Sequence, residues 1–178
     1  MLYRTWRNKL AEEGLRVRIG RWNVPGKPIA ILVDYKSYLP QQNRILGEYW
    51  ERYRVDSLSG DWDYKESLIF GYAAGNVIES FCKHHLLNSD KVVAQFHEWQ
   101  TGAGLLYLRN SSFPVATVFT THATMIGRSI CGNNYALYDN LAEFNGDEMA
   151  KRLNVVSRHS LESKSAEYAD VFTTVSDI

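Results

Sequence analysis

Apolar and polar positions follow two periods along the chain. Tyr3 to Glu13 keeps the spacing of a helix end, and Gly14 stops it as a C-terminal glycine does. LRVRIGRW (15–22) alternates apolar and basic residues, the pattern of a half-buried strand. Pro25 and Gly26 turn the chain. IAILVDY (29–35) is then a continuous apolar run, which predicts a buried strand ending at Asp34 in a sheet with helices on both faces. Gln41 to Arg54 is charged and helix-prone, and LSGDWDY (58–64) is a loop. From Tyr64 to about Leu87, the residues Leu68, Ile69, Tyr72, Ala73, Val77, Ile78 and Phe81 keep helical spacing, the clearest helix in the chain. KVVAQF (91–96) predicts a strand, Gln100 to Arg109 a helix, and PVATVFTT (114–121) a strand. Short helical pieces near Tyr135 to Phe144, a helix from about Asn154 to Tyr168 and a last strand DVFTTVS (170–176) complete the reading. Alternating strands and helices define an α/β class: a Rossmann-like, mainly parallel sheet with helices on both faces.

The chain of 178 residues is long enough for one domain with a hydrophobic core. Twenty basic and twenty acidic side chains cancel, so no broad positive field holds a nucleic-acid backbone or an anionic membrane. Neither a membrane-length apolar run, roughly 18 residues, nor the hydrophobic segment of a signal peptide is present, so the expected compartment is the cytoplasm. Cys82 and Cys131 lie far apart without CxxC spacing and read as reduced thiols. Five tryptophans and eleven tyrosines supply flat rings of the kind that line sugar clefts, although core packing accounts for most such rings.

Three predicted strands end in polar clusters: KVVAQF in His97-Glu98-Trp99, PVATVF in Thr120-Thr121-His122, and DVFTTV in Ser176-Asp177. In a parallel sheet these ends share one edge, the usual ligand edge of open α/β folds, so His97, Glu98, His122 and Ser176 can line one crevice. The alternative for Thr120, Thr121 and Ser176 is capping of the next helix. Nothing in turn chemistry requires imidazole at His122, which can hydrogen-bond a substrate hydroxyl or serve a purely structural role. Arg128 adds a planar cation suited to phosphate oxygens, and Gly127 permits close backbone approach. Glu98 can accept from sugar hydroxyls or simply complement a helix dipole, and Trp99 can pack a helix or floor a pocket. His84 and His85 point about 100° apart on a helix and do not chelate one metal as an i, i+4 pair would. GYAAGN (71–76) lies inside a predicted helix and is no dinucleotide fingerprint. Patterns for a GxSxG serine or a P-loop are absent.

AQFHEWQTGAGLLYLR (94–109), VATVFTTHATMIGRSIC (115–131), LYDNLAEFN (137–145) and ADVFTTVSDI (169–178) together resemble the N-terminal domain of eukaryotic-type glycogen synthases, retaining glucosyltransferases of the two-domain GT-B fold. VRIGRW, the ILVD strand and DYKESLIFGY fit the same colinear pattern, and THATxxGR combined with HEWxxG is specific. The resemblance implies transfer of glucose from UDP-glucose to the non-reducing end of glycogen or an oligoglucan, through an α-1,4 bond and without a metal or other cofactor. It implies that His122 stands beside the transferred glucose, its carbonyl stabilising oxocarbenium-like charge and its side chain orienting a hydroxyl. Glu98 of the HEW motif would hold the sugar or the incoming acceptor, Arg128 would stand near the donor's sugar-diphosphate, and His97, Thr121 and Gly127 would belong to the substrate-binding residues. It further implies that residues 1–178 are a partial N-terminal domain, lacking an opening glycine-rich strand turn and the C-terminal nucleotide-binding domain. Such a piece is expected to be inactive alone, and its incomplete sheet to offer an edge for pairing with a second copy. Starch or sucrose synthase-like enzymes, disfavoured by THATMIGR, and a non-catalytic carbohydrate-binding module are the alternative readings.

Overall fold

The computed structural model describes residues 3–175. Helix α1 (Arg4–Glu12) buries Trp6 and Leu10, one turn apart, and ends at Gly14, whose φ of +85° only glycine adopts freely. Strands β1 (Arg16–Arg21) and β2 (Ile29–Asp34) follow and pair antiparallel, Val17 opposite Val33 and Ile19 opposite Ile31. This corrects the expectation that IAILVDY is a buried strand covered on both faces. Pro25 and Gly26 join the two strands through a tight turn, closed by the Lys27 amide on the Val24 carbonyl, and a connection that short permits only antiparallel pairing. One face of the hairpin packs on Trp6, Leu10, Leu15, Ala73 and Val77, while Leu32, on the other face, is 62% exposed.

A 3-10 segment (Tyr35–Gln41) leads into α2 (Gln42–Tyr53), α3 (Trp62–His85), β3 (Val93–His97), α4 (Glu98–Leu108) and β4 (Ala116–Thr121). Then come α5 (Met125–Gly132), a 3-10 turn (Leu141–Glu143), α6 (Gly146–Arg152), α7 (Val156–Tyr168) and β5 (Val171–Thr174). The strands β3, β4 and β5 form a parallel sheet in that order, with Phe96, Phe119 and Phe172 in register across it. The α/β class and parallel pairing therefore follow the sequence pattern. At the β3 edge of this sheet the two faces differ in cover. Ala94 and Phe96 point into the core beneath α4, whereas Val93 (66% exposed), Gln95 and His97 face outward.

Helix α4 lies between the sheet and α3, and α7 packs beside it. A Cβ on Gly71 would stand 2.9 Å from the Ala103 Cβ, and one on Gly104 would stand 2.7 Å from the Phe96 ring. The glycines of GYAAGN and TGAG therefore serve close helix contact rather than a phosphate loop. Buried Tyr49 and Tyr53 of α2 donate to the carbonyls of Ala103 and Leu106 at 2.6 and 2.7 Å, which fixes α4 from its outer side. The core is completed by Tyr64, Leu68, Ile69, Leu105, Leu106 and Leu161.

Two helices depart from the sequence reading. The segment 135–144, expected to be helical, holds only the short 3-10 turn, while Met125–Gly132 and Gly146–Arg152 are helical. Both start on side-chain caps: Thr124 Oγ1 accepts the Gly127 amide at 3.1 Å and Asn145 Oδ1 the Glu148 amide at 3.1 Å. Ser176 and Asp177 lie outside the described residues. Cys82 and Cys131 are both free thiols. Among the described residues no helix is long and apolar enough to cross a membrane.

Candidate functional site

The sheet brings the ends of β3 and β4 side by side, with His97 in register with Thr120. At the end of β3 the chain turns directly into α4 through Glu98, whose φ is +62°. A glutamate in the left-handed region is strained, and the surroundings must hold it there. Thr101 does part of this, since its hydroxyl donates to the His97 carbonyl at 2.6 Å and lies 3.3 Å from that of Glu98. The turn aims the Glu98 carboxylate across to β4, where Oε1 accepts the His122 backbone N–H at 2.8 Å. The His97 and His122 rings lie 5.9 Å apart between centroids.

These groups border an open hollow of about 550 Å³ lined by Glu98, Trp99, Gln100, His122, Ala123, Met125 and Arg128. Arg128 is exposed and bends back so that its Nε donates to the Ala123 carbonyl at 3.2 Å, and among the described residues its two terminal guanidinium nitrogens make no hydrogen bond. Trp99 is wedged in place, stacked on Tyr64 at 6.0 Å, with the Arg158 guanidinium 5.5 Å from its ring centre. Among the described residues Glu98 Oε2 accepts no hydrogen bond, so one carboxylate oxygen fixes the loop and the other keeps its acceptor capacity.

Of the residues singled out from sequence, Glu98, His122 and Arg128 share the wall of this hollow, and His97 flanks it. Thr121 and Gly127 do not reach it. Thr121 is 2% exposed and pairs with Thr174 in the sheet. Gly127 is half-buried under the cap of α5, where a Cβ would come 2.9 Å from Thr124 Oγ1, so its bareness serves the cap. The capping reading of Thr120 and Thr121 is also corrected. Thr120 Oγ1 bonds Gln95 at 2.9 Å and Thr173 at 2.7 Å, and Thr124 is the residue that caps. Among the described residues no three His, Cys, Asp or Glu side chains form a metal-binding group.

One residue escaped the sequence reading. Glu162 of α7 is 5% exposed and accepts the Met125 backbone N–H on Oε2 at 2.7 Å. The available signal is its place on the helix beside buried Leu161 and Ser165.

Polar side chains from adjacent parallel strand ends around an open hollow are the ligand-site arrangement of Rossmann-like α/β proteins. The chain belongs to the glycogen synthase family, whose model, described as glycogen synthase, matches residues 3–178. It is 38% identical over 167 residues to the liver glycogen [starch] synthase of Rattus norvegicus, covering 94% of this chain and 23% of that protein. It is 36% identical over 172 residues to the glycogen [starch] synthase of Dictyostelium discoideum, with 96% and 19% covered. Against the Caenorhabditis elegans glycogen [starch] synthase it is 35% identical over 166 residues, with 93% and 25% covered. The chain thus spans about a fifth to a quarter of the length of these curated relatives.

Proposed function

We propose that the chain forms the sugar-gripping wall of a retaining glucosyltransferase site, which passes glucose from UDP-glucose to the non-reducing end of glycogen through an α-1,4 bond. The supporting observation is the Glu98–His122 junction: a carboxylate held in a strained turn, bonded to the backbone of a histidine, at one hollow of a glycogen synthase family chain. Glycosyl transfer with retention develops positive charge at the sugar ring and negative charge on the departing diphosphate. Fixed dipoles and charges aimed at those positions lower the barrier, and positioning contributes as much as acid–base strength. In this site Glu98 Oε2 accepts from a sugar hydroxyl, and the His122 imidazole orients a second hydroxyl. The free nitrogens of Arg128 meet the donor phosphates, for which the planar guanidinium is well matched. The curated relatives extend well beyond the matched stretch, so the reading is tested in the context of one of them.

The test is to place residues 3–175 of this chain in the rat liver enzyme in exchange for the matched stretch and to follow glucose transfer from UDP-glucose to glycogen. His122→Ala in that chimera is expected to lower kcat about 100-fold, the usual scale for one electrostatic group at a reacting centre. Transfer that is active but indifferent to both His122→Ala and Glu98→Gln would rule the assignment out. A chain that binds glycogen with no such dependence would instead mark a carbohydrate-binding module.

A further inference from the structure

Glu162 stands behind the wall of the hollow. An ionised carboxylate so deeply buried is costly unless its oxygens are paired. Among the described residues only one of them is: Oε2 accepts the Met125 amide at 2.7 Å, and Oε1 has no hydrogen-bond partner. Met125 is the first residue of α5, where backbone N–H groups have no acceptor within the helix. Thr124 Oγ1 satisfies the Gly127 amide locally, but the Met125 bond is tertiary and ties α5 to α7.

The segment that leaves β4 is short, and its two ends are both fastened by carboxylates. Glu98 of α4 holds the His122 amide at 2.8 Å, and Glu162 of α7 holds the Met125 amide three residues on. Between them lie His122, Ala123 and Thr124, and Arg128 bonds back onto the Ala123 carbonyl. The imidazole and the guanidinium of the hollow therefore stand on one turn clasped from two helices.

We propose that Glu162 is a positioning residue of the sugar site: by holding the Met125 amide it fixes the His122–Arg128 segment and so sets where the imidazole and guanidinium stand. The identity of what the hollow binds rests on the glucosyl-transfer reading, but the clasp itself does not. Its electrostatics agree with the geometry. Burial lifts the Glu162 carboxyl to about 7 against the Met125 hydrogen bond, Glu98 adds to the lift and Arg128 opposes it, so both charged walls of the hollow act on this group.

The test uses the full chain, isotope-labelled for NMR. Glu162→Ala is expected to speed hydrogen exchange at the Met125 amide about tenfold and to move the His122 amide and ring resonances, with the α7 amides of Leu161 and Ser165 unchanged. Glu162→Gln, whose side-chain carbonyl still accepts from Met125, is expected to restore both. In the wild type the Met125 amide shift is expected to titrate near pH 7, and in Glu162→Gln to stay flat. UDP-glucose affinity should fall about tenfold in Glu162→Ala and return to within about twofold of wild type in Glu162→Gln. Unchanged Met125 exchange and unmoved His122 resonances in Glu162→Ala would overturn the proposal. Should that variant fail to fold, Met125 amide exchange in the wild type as fast as in an open helix N-terminus would overturn it. If Met125 and His122 respond as expected but the wild type binds no UDP-glucose, the clasp stands and the glucosyl-transfer reading fails.

Discussion

Glu98 joins strain and function in one residue, and two substitutions separate them. At φ +62° any side chain with a Cβ costs roughly 1–2 kcal/mol relative to glycine. Glu98→Ala keeps that strain and also loses the exposed carboxylate bond to the His122 amide, worth at most about 1 kcal/mol. Glu98→Gly loses the same bond but releases the strain. In an ordinary helical position glycine is the worse residue by about 1 kcal/mol, so the expected order here is reversed. Glycine should exceed alanine by about 1 kcal/mol, which for a chain of this size is about 2–4 °C in Tm. Thermal and urea melts of the wild type and both variants measure it. Both variants are also expected to lose sugar binding at the hollow, whichever is more stable. An alanine variant as stable as the glycine variant, or more so, would refute the claim that the surroundings force this turn.

Two further outcomes follow from buried polar groups elsewhere. Tyr64 is fully buried and its hydroxyl has no partner among the described residues, so Tyr64→Phe should leave the urea midpoint unchanged or raise stability by up to about 1 kcal/mol; a clear loss would mean that the hydroxyl is satisfied. Glu79 is pushed upward in pKa by burial, but bonds from Lys83, Ser111, Tyr107 and the Ser112 amide outweigh this and leave it below the ordinary carboxyl value of 4.5. A depressed carboxyl contributes stability that is present above its unfolded value and lost as pH falls through the lower folded one. Glu79→Gln should therefore destabilise by about 1–2 kcal/mol at neutral pH, with the gap closing below about pH 4. A gap that stays constant into acid would contradict the assignment.

The parts of the fold that local pattern decides were legible in the chain. Strands β3, β4 and β5 announce themselves as β-branched and aromatic runs ending in polar residues, and α3 by its unbroken 3.6-residue spacing. Strand β2 misleads because an apolar run reads the same whether helices cover both faces of its sheet or only one. Only the antiparallel register shows Leu32 turned outward. Helix α5 is hidden by Gly127 and Gly132, which lower helix propensity, although the Thr124 cap was available as a signal. At the candidate site, Glu98 and His122 could be singled out because chemistry and strand ends coincide, and Arg128 by its guanidinium beside Gly127. Thr121 could not be excluded, because its burial depends on pairing with β5 some fifty residues later. Glu162 sits among Ser, Lys and Glu residues that read as a solvated helix, with Leu161 beside it as the one local hint, and its partner 37 positions upstream fixes its place.

The central claim is that Glu98 and His122 grip a hexose in the shared hollow. Its most direct test follows the five histidine side chains of the ¹³C-labelled chain by NMR during titration with maltoheptaose and UDP-glucose. The His122 and His97 resonances are predicted to move saturably, His84, His85 and His159 to stay fixed, and Glu98→Gln to weaken the response. Ligand binding that leaves His122 and His97 unmoved, or no saturable response at any concentration, would contradict the account.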